Sequence, residues 1–150
     1  FVKWDGGANM RKLLVMLMVT CLMMVCSVGF AADDHKVLAK QLQVAEKLLD
    51  AVDGEPVPTF AQVSAGFNAN LKAKFDDKAF ENLKKQVRVQ LGNLKEAKFF
   101  AFQRFDQVDR VIYVASFSKE KVVNIVFAFD KQSKLVDFAF SPVKQPEVKK

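Results

Sequence analysis

Few side chains in this sequence combine a reactive group with surroundings that could use it. Tyr113 and Asp137 are the strongest pair, because a carboxylate base and a tyrosine hydroxyl that stabilises an oxyanion form an isomerase-type site when they share an apolar cavity. Each lies in a segment that alternates like a strand. However, Asp137 precedes Phe138 and is expected to face water. A small isomerase-like or hydrolase-like enzyme that uses Tyr113 and a carboxylate is therefore an alternative interpretation.

The other candidate groups have simpler structural explanations. His35 is the single histidine, and it cannot build a zinc site without a second nitrogen or sulfur ligand. Asp76 and Asp77 lack the full pattern of a calcium loop and are suited to capping a helix. Arg104 and Asn124 could hold an anion at a cavity mouth, but the solvated face of a sheet is their expected place. We assign no catalytic residue, metal ligand or cofactor to this sequence.

Composition separates an N-terminal segment from the remainder. All five Met and both Cys lie before residue 27, and the single Trp is Trp4. Three of the 23 basic and one of the 17 acidic residues precede Ala32, which leaves 20 and 16, a net charge of +4. These charges are interspersed, as on a soluble surface, and do not favour nucleic-acid binding. Without Cys, the later part excludes thiolate nucleophiles and thiolate metal sites.

Residues 10–31 have the order of a secretory signal peptide. A positive start at 10–12 precedes an uncharged run, and Gly29-Phe30-Ala31 places small residues at the first and third positions of a cleavage site. We predict cleavage after Ala31, with Ala32 as second choice, and a periplasmic or secreted protein that meets the membrane only through this segment. An uncleaved anchor is the alternative, because the run from Leu13 to Ala32 is long enough to span a bilayer.

The remaining domain boundaries follow from the same pattern. Residues 1–9 precede Met10 without periodicity, so we predict that translation starts at Met10 and that they are not part of the native protein. A chain of 150 residues suits one domain, which we place at 32–141. Residues 142–150 contain two prolines and are expected to form a flexible tail.

Helical periodicity fills the first half of this domain. Within the segment 34–52, apolar side chains recur at helical spacing from Leu38 to Val52. Thr59 and Gln62 form a capping box for a short helix that reaches about Ala65, and a second short helix follows Gly66. A longer helix is predicted at 78–91, with Leu94 continuing its apolar stripe and Gly92-Asn93 as its stop.

The period then changes to two, which indicates strands at 98–105, 110–118, 121–130 and 134–141. The connections are short, so neighbouring strands are antiparallel. One face carries Phe127 and Phe129, together with Val136, Phe138 and Phe140. We therefore predict an α+β fold in which N-terminal helices cover the aromatic face of a four-stranded antiparallel meander.

The order of elements resembles a small exported bacterial family of unknown function. The segments that carry the likeness are Leu48 to Ala51, Phe67 to Phe75, Phe80 to Gly92, Val123 to Asp130, and Phe138 to Pro142. The resemblance implies a cone-shaped, cystatin-like fold of the nuclear-transport-factor-two-like class. In some relatives the domain precedes an α/β-hydrolase, but this chain has no G-x-S-x-G motif, so that activity does not transfer.

The function favoured at this point is a non-catalytic exported module that binds a protein partner or an apolar small ligand through its aromatic-rich curved sheet. A structural subunit that forms a homodimer through the sheet is the other alternative. The aromatic side chains could line a lipophilic pocket, although core packing is their commoner use. This set comprises Phe100, Phe102, Phe127, Phe129, Phe138 and Phe140.

Overall fold

The computed structural model describes residues 32–53 and 56–144. The predicted signal segment, its cleavage site after Ala31, the alternative anchor and residues 1–9 lie outside the described residues. Four helices precede four strands. The helices are α1 (Ala32–Asp53), α2 (Phe60–Ser64), α3 (Ala69–Lys74) and α4 (Asp77–Gln90), and the strands are β1 (Leu94–Arg104), β2 (Asp109–Phe117), β3 (Val123–Phe129) and β4 (Leu135–Pro142).

The four strands form one antiparallel sheet in the order β1-β2-β3-β4. The predicted α+β class and meander are therefore confirmed. Alternate residues of β2 and β3 are buried, which defines an inner face that packs on the helices. The outer face carries the intervening residues. The helices contribute to the same core through Leu48, Val63 and Phe80, among others.

The helix starts follow the capping residues in the sequence. Thr59 and Gln62 form the predicted capping box, and Asn68 caps α3. Of the two candidate aspartates, Asp76 caps α4, since its carboxylate accepts the Ala79 N–H at 2.8 Å. These bonds satisfy backbone donors that the first turn of a helix leaves open.

The end of α4 differs from the prediction at one residue. Leu94 does not extend the apolar stripe of the helix, because α4 ends at Gln90 and Leu94 begins β1. The chain reverses at Gly92, whose φ of +84° is a left-handed conformation that glycine adopts without steric cost. A Cβ atom there would lie 1.9 Å from the Ser118 hydroxyl oxygen.

Two irregularities in the sheet shift side chains from their predicted positions. An extra residue, Phe100, lies between the pairs formed by Phe99 and Ala101 in β1. A second extra residue, Val136, lies in β4. Its neighbours Asp137 and Leu135 pair with the consecutive residues Ala128 and Phe129 of β3. The prediction placed Val136 on the inner face, but Leu135 is fully buried and Val136 is only half-buried. Such bulges bend strands and re-aim side chains.

The first helix runs along β2 in the same direction. The Gln41 amide donates to Asp109 at the start of β2. At the other end of the helix, Asp53 accepts the N–H of Leu94, a residue that pairs with Phe117 at the end of β2. None of the described helices is long and apolar enough to cross a membrane.

The last strand extends one residue beyond its predicted end at Ser141. Pro142 belongs to β4, and the Val143 N–H donates to the Val122 carbonyl oxygen at 2.9 Å. The predicted tail therefore begins with residues that the sheet holds, and residues 145–150 lie outside the described part.

Replacing Asp76 with Ala tests the capping assignment. We expect the free energy of unfolding to fall by about 1 kcal/mol, because the Ala79 N–H loses its acceptor at the start of α4. Chemical denaturation of the purified variant measures this loss. Asp77→Ala is the control, since Asp77 lies in the first turn and is not the cap; a loss as large in the control as in Asp76→Ala would contradict the assignment.

Candidate functional site

Tyr113 and Asp137, the candidate pair of the alternative enzyme interpretation, lie on opposite faces of the sheet. Tyr113 is on the inner face and pairs with Ile125, whose other neighbour is Phe140. Asp137 pairs with Ala128 on the outer face and is exposed. Its carboxylate accepts the N–H of the next residue in β4 at 2.9 Å. The structure does not bring the two groups together.

The carboxylate that does act on Tyr113 is that of Glu46, in α1. The Tyr113 side chain is 4% exposed and lies between two phenylalanine rings, with centroids 6.1 Å from Phe99 and 5.9 Å from Phe127. Burial, then the negative charge of Glu46 and its hydrogen-bonding interaction, raise the pKa of Tyr113 from 10.0 to about 12. The hydroxyl has no hydrogen bond of standard geometry to a described residue, so we interpret the Glu46 interaction as mainly electrostatic.

This environment is unsuited to stabilising an oxyanion. A tyrosine that donates to a developing oxyanion is helped by surroundings that favour negative charge. Around Tyr113 the surroundings disfavour negative charge, since burial removes water and the Glu46 carboxylate repels a second negative charge. The phenol stays protonated at neutral pH as a weak hydrogen-bond donor.

A second polar cluster centres on Asp109, at the start of β2. The Asp109 side chain is buried and is contacted by three side chains from other segments of the protein. Gln41 Nε2 lies 3.0 Å from Oδ2, Lys131 Nζ lies 2.8 Å from Oδ1, and Arg104 Nε lies 3.6 Å from Oδ1. Lys131 also donates to the carbonyl oxygen of Phe105. The cluster therefore joins α1, the β1–β2 turn and the β3–β4 turn around one buried charge.

Sequence reasoning missed the members of both clusters. Asp109 was assigned to the connection between strands, and Gln41 lies three residues after Leu38 within the apolar stripe of α1. That spacing was the available signal, because a polar residue inside an apolar stripe needs a buried partner. Glu46 is exposed and gave no comparable signal.

Two buried oxygen atoms lack hydrogen-bond partners among the described residues. They are Gln41 Oε1 and the Tyr113 hydroxyl. The Gln41 amide is held in one orientation, because Asp109 requires its N–H as donor. An unsatisfied buried oxygen costs about 1–3 kcal/mol, so each of the two oxygens lowers the stability of the fold.

The remaining sequence candidates do not converge. Arg104 lies beside Asp109, whereas Asn124 is half-buried on the outer face between Val114 and Ser141. His35 is exposed on α1. Within the described residues no group of three or more His, Cys, Asp or Glu side chains could hold a metal ion.

The six phenylalanines that were considered as a pocket lining differ in burial and do not line one pocket. Phe127 and Phe129 are fully buried, and Phe100 is 71% exposed. The other members are half-buried against the core, namely Phe102, Phe138 and Phe140. Most of the set therefore serves core packing.

Three surface features remain open to a partner. The outer face carries an apolar row that crosses all four strands, consisting of Ala101, Ile112, Val126 and Ala139. A groove of about 180 Å³ lies between α4 and β4, with Leu83, Val87 and Phe138 among its lining residues. Another cleft, of about 310 Å³, lies at the β2–β3 turn and is lined mainly by lysines and valines.

Replacing Asp109 with Asn tests the buried cluster. We expect a loss of roughly 3 kcal/mol in the free energy of unfolding, because Lys131 and Gln41 would then face a neutral amide that cannot accept from both. Thermal or chemical denaturation measures it. Asp106→Asn removes a carboxylate from an exposed position in the same turn and should have little effect; a loss in Asp109→Asn no larger than this control would show that the cluster is not structural.

Because the chain has a single tyrosine, a tyrosine titration reports on Tyr113 alone. We expect its ultraviolet absorbance to report a pKa near 12 in the folded chain and near 10.0 after unfolding. Since the folded state holds the proton more tightly, this contribution to stability is complete below pH 10 and is lost as the pH rises to about 12. Glu46→Gln should lower the folded pKa only in part, because burial is the larger cause.

Tyr113→Phe is the matched control for the stability measurement. It removes the ionising group, so the fall in stability that Tyr113 causes between pH 10 and about 12 should disappear. A folded pKa of 10.0 in the unmodified chain would refute the described environment.

The comparisons with known proteins address the family. No significant match to a curated protein or to a solved structure was found. One family model matches residues 58–138, from the residue before Thr59 to Phe138 in β4, and so includes Asp109 and Tyr113 but not α1. Since this match covers more than half of the chain, the chain belongs to the family described as Protein of unknown function (DUF3887).

Proposed function

We propose that this chain is an exported, non-catalytic module that binds a protein surface through the outer face of its sheet. The observation that carries the proposal is the apolar row on that face. Ile112 and Val126 at its centre are only half-buried, although every described helix packs apolar residues on the inner face. An apolar face that a domain does not cover itself is a typical protein-binding surface.

Exposed aromatic side chains extend this surface at the β1 edge. Phe100 and Phe105 are 71% and 46% exposed, whereas Phe99 contacts Tyr113 on the inner face. Phe100 occupies the bulge in β1, next to Ala101 at the end of the apolar row. Aromatic residues are enriched in protein interfaces because they bury a large area with little loss of conformational freedom.

A small apolar ligand is less well supported than a protein partner. The aromatic inner face is filled by the helices, with Phe127 and Phe129 fully buried. The apolar groove beside β4 measures about 180 Å³, which is below the range of roughly 300–1,000 Å³ for pockets that enclose such ligands.

The charges on the outer face favour a second copy of the chain as the partner. Arg110, Ala128 and Asp137 lie in one row across β2, β3 and β4. A twofold axis parallel to the strands, between β2 and β3, would stack two sheets about 10 Å apart and bring Arg110 near Asp137 of the second copy. Such a homodimer has opposite charges at its rim and apolar rows at its centre.

Its size predicts a weak dimer. Four strands about 4.8 Å apart and seven residues long present a face of roughly 20 by 23 Å. This is below the roughly 800 Å² per partner of a standard interface, so dissociation in the micromolar range is expected.

Export and the wider fold class are part of the same proposal. The basic start, apolar run and small-residue site of residues 10–31 support cleavage near Ala31 and a periplasmic or secreted location in a bacterium. The order of helices followed by a meander supports a cystatin-like fold of the nuclear-transport-factor-two-like class.

An enzyme that uses Tyr113 is the second candidate, and one observation favours it. A carboxylate, that of Glu46, interacts with a buried tyrosine, as an isomerase-like or hydrolase-like site requires. The raised pKa argues against this role, because the same carboxylate opposes the negative charge that Tyr113 would have to stabilise.

Sedimentation equilibrium of the protein purified from its own host tests the proposed contact. We expect a reversible dimer that Val126→Glu converts to a monomer, since the substitution places a charge at the centre of the apolar row. The mass of the purified chain reports cleavage in the same preparation.

Val57→Glu is the matched control for this experiment. It introduces the same charge at an apolar residue that is 55% exposed and remote from the sheet in sequence, and it should leave the dimer intact. A chain that stays monomeric at high concentration, or a dimer that Val126→Glu does not weaken, would contradict self-association through this face.

A further inference from the structure

The edge of β4 is open along most of its length. Its first residue is covered, because Leu135 forms a parallel bridge with Phe67, donates its N–H to the Gly66 carbonyl oxygen at 2.8 Å and accepts the Asn68 N–H at 2.9 Å. From Asp137 onward, no described strand pairs with β4 on the side away from β3.

The register shows which backbone groups point to this open edge. Val143 donates its N–H to Val122, so the odd-numbered residues from Asp137 to Val143 bond to β3. The N–H and C=O groups of Phe138 and Phe140 therefore point outward. In agreement with this, the Phe138 N–H donates to the side chain of Asp137 rather than to a strand.

The two edges of the sheet differ in their protection. At the other edge, β1 carries a bulge at Phe100 and the charged residues Lys95, Glu96 and Lys98. Bulges and charges are common devices that prevent the addition of another strand. On β4 the bulge at Val136 and the charge of Asp137 lie before Phe138, and Pro142 follows Ser141, so the segment from Phe138 to Ser141 has none of these devices.

A groove runs beside this open edge and is lined by apolar and neutral side chains. Its floor includes Leu83, Val87 and Phe140, and Gln86 and Gln90 form its rim on α4. Both glutamines are exposed and are one helical turn apart, so their amides can bond to a peptide backbone. The charged residues Lys85 and Arg88 do not line the groove.

We propose that an extended peptide segment of a partner protein adds to β4 as a fifth strand and places one large apolar side chain in the groove between α4 and β4. The Phe140 N–H and the outward C=O groups supply the backbone bonds of strand addition, and the Phe138 N–H exchanges its bond to Asp137 for one to the peptide. The volume of about 180 Å³ suits one side chain, and the neutral lining selects an uncharged central residue.

A second copy of the chain fits this edge less well than a peptide. When Phe138 of one copy pairs with Phe140 of the other in antiparallel order, Lys134 faces Lys144 of the other copy across the ends of the strands. Only the part of the edge beyond the covered Leu135 can pair, and so short a pairing buries little area. This site does not depend on the outer-face contact proposed above.

A synthetic peptide with a central phenylalanine between alternating threonine and valine, about seven residues long and flanked by lysines, is the probe. We expect it to slow hydrogen exchange at the Phe140 amide of the full chain by about tenfold or more and to shift the resonances of residues that line the groove. Two versions of the peptide, N-methylated at alternate residues, test strand addition. One should lose binding, because it blocks the paired edge, and the other should keep it.

The double variant Gln86→Glu/Gln90→Glu places two carboxylates on the groove rim and should weaken binding of the peptide by about tenfold. Lys85→Gln/Arg88→Gln makes the same change in net charge away from the groove and should have little effect. The proposal is overturned if the peptide does not bind or if the two methylated peptides bind equally. It is also overturned if the two protein variants have equal effects on binding, or if the resonance shifts are confined to the outer face around Val126. Peptide-independent protection of Phe140 that depends on protein concentration would assign the edge to a second copy and overturn it as well.

Discussion

The arrangement of this domain depends on the burial of one charge. The Asp109 carboxylate is inaccessible to water, so its solvation must come from the protein. Gln41 brings α1 to the sheet, Arg104 comes from the end of β1, and Lys131 comes from the β3–β4 turn. A buried carboxylate tolerates few other arrangements, because losing one partner leaves an uncompensated charge. The cluster thereby fixes the position of the helix on the sheet in a way that apolar packing alone would not.

This constraint divides the sheet into two surfaces with different roles. With α1 held along β2, the inner face is occupied by the protein itself, and the aromatic rings pack in edge-to-face contacts such as that of Phe75 with Phe138. The outer face and the β4 edge are left for other molecules. The aromatic character of the strands, which first suggested a ligand cavity, is thus mostly the chemistry of the core.

Local patterns predicted the elements well and the contacts between them poorly. The capping box at Thr59, the change of period after α4 and the short connections of the meander are all encoded within a few residues, so the fold class followed from the sequence. The bulges at Phe100 and Val136 were not predictable, because a register shift depends on the partner strand. The bond between Gln41 and Asp109 joins residues 68 apart, and Glu46 acts on Tyr113 across the helix–sheet interface. Asp137 is exposed, as its position before Phe138 predicted, so the alternative site with Tyr113 does not form.

The bridge between the α2–α3 connection and β4 has a consequence for how the chain folds. The strands of the meander are joined by short turns, so their contacts close small loops and can form early. In contrast, the bond from Leu135 to Gly66 joins distant parts of the sequence, and a Cβ at Gly66 would lie 2.7 Å from the side chain of Val44 in α1. The segment around Gly66 therefore contacts both the helical layer and the sheet. These contacts can form only when α1 and β4 are both in place. We expect the hairpins to form first and the docking of the helices to limit the folding rate.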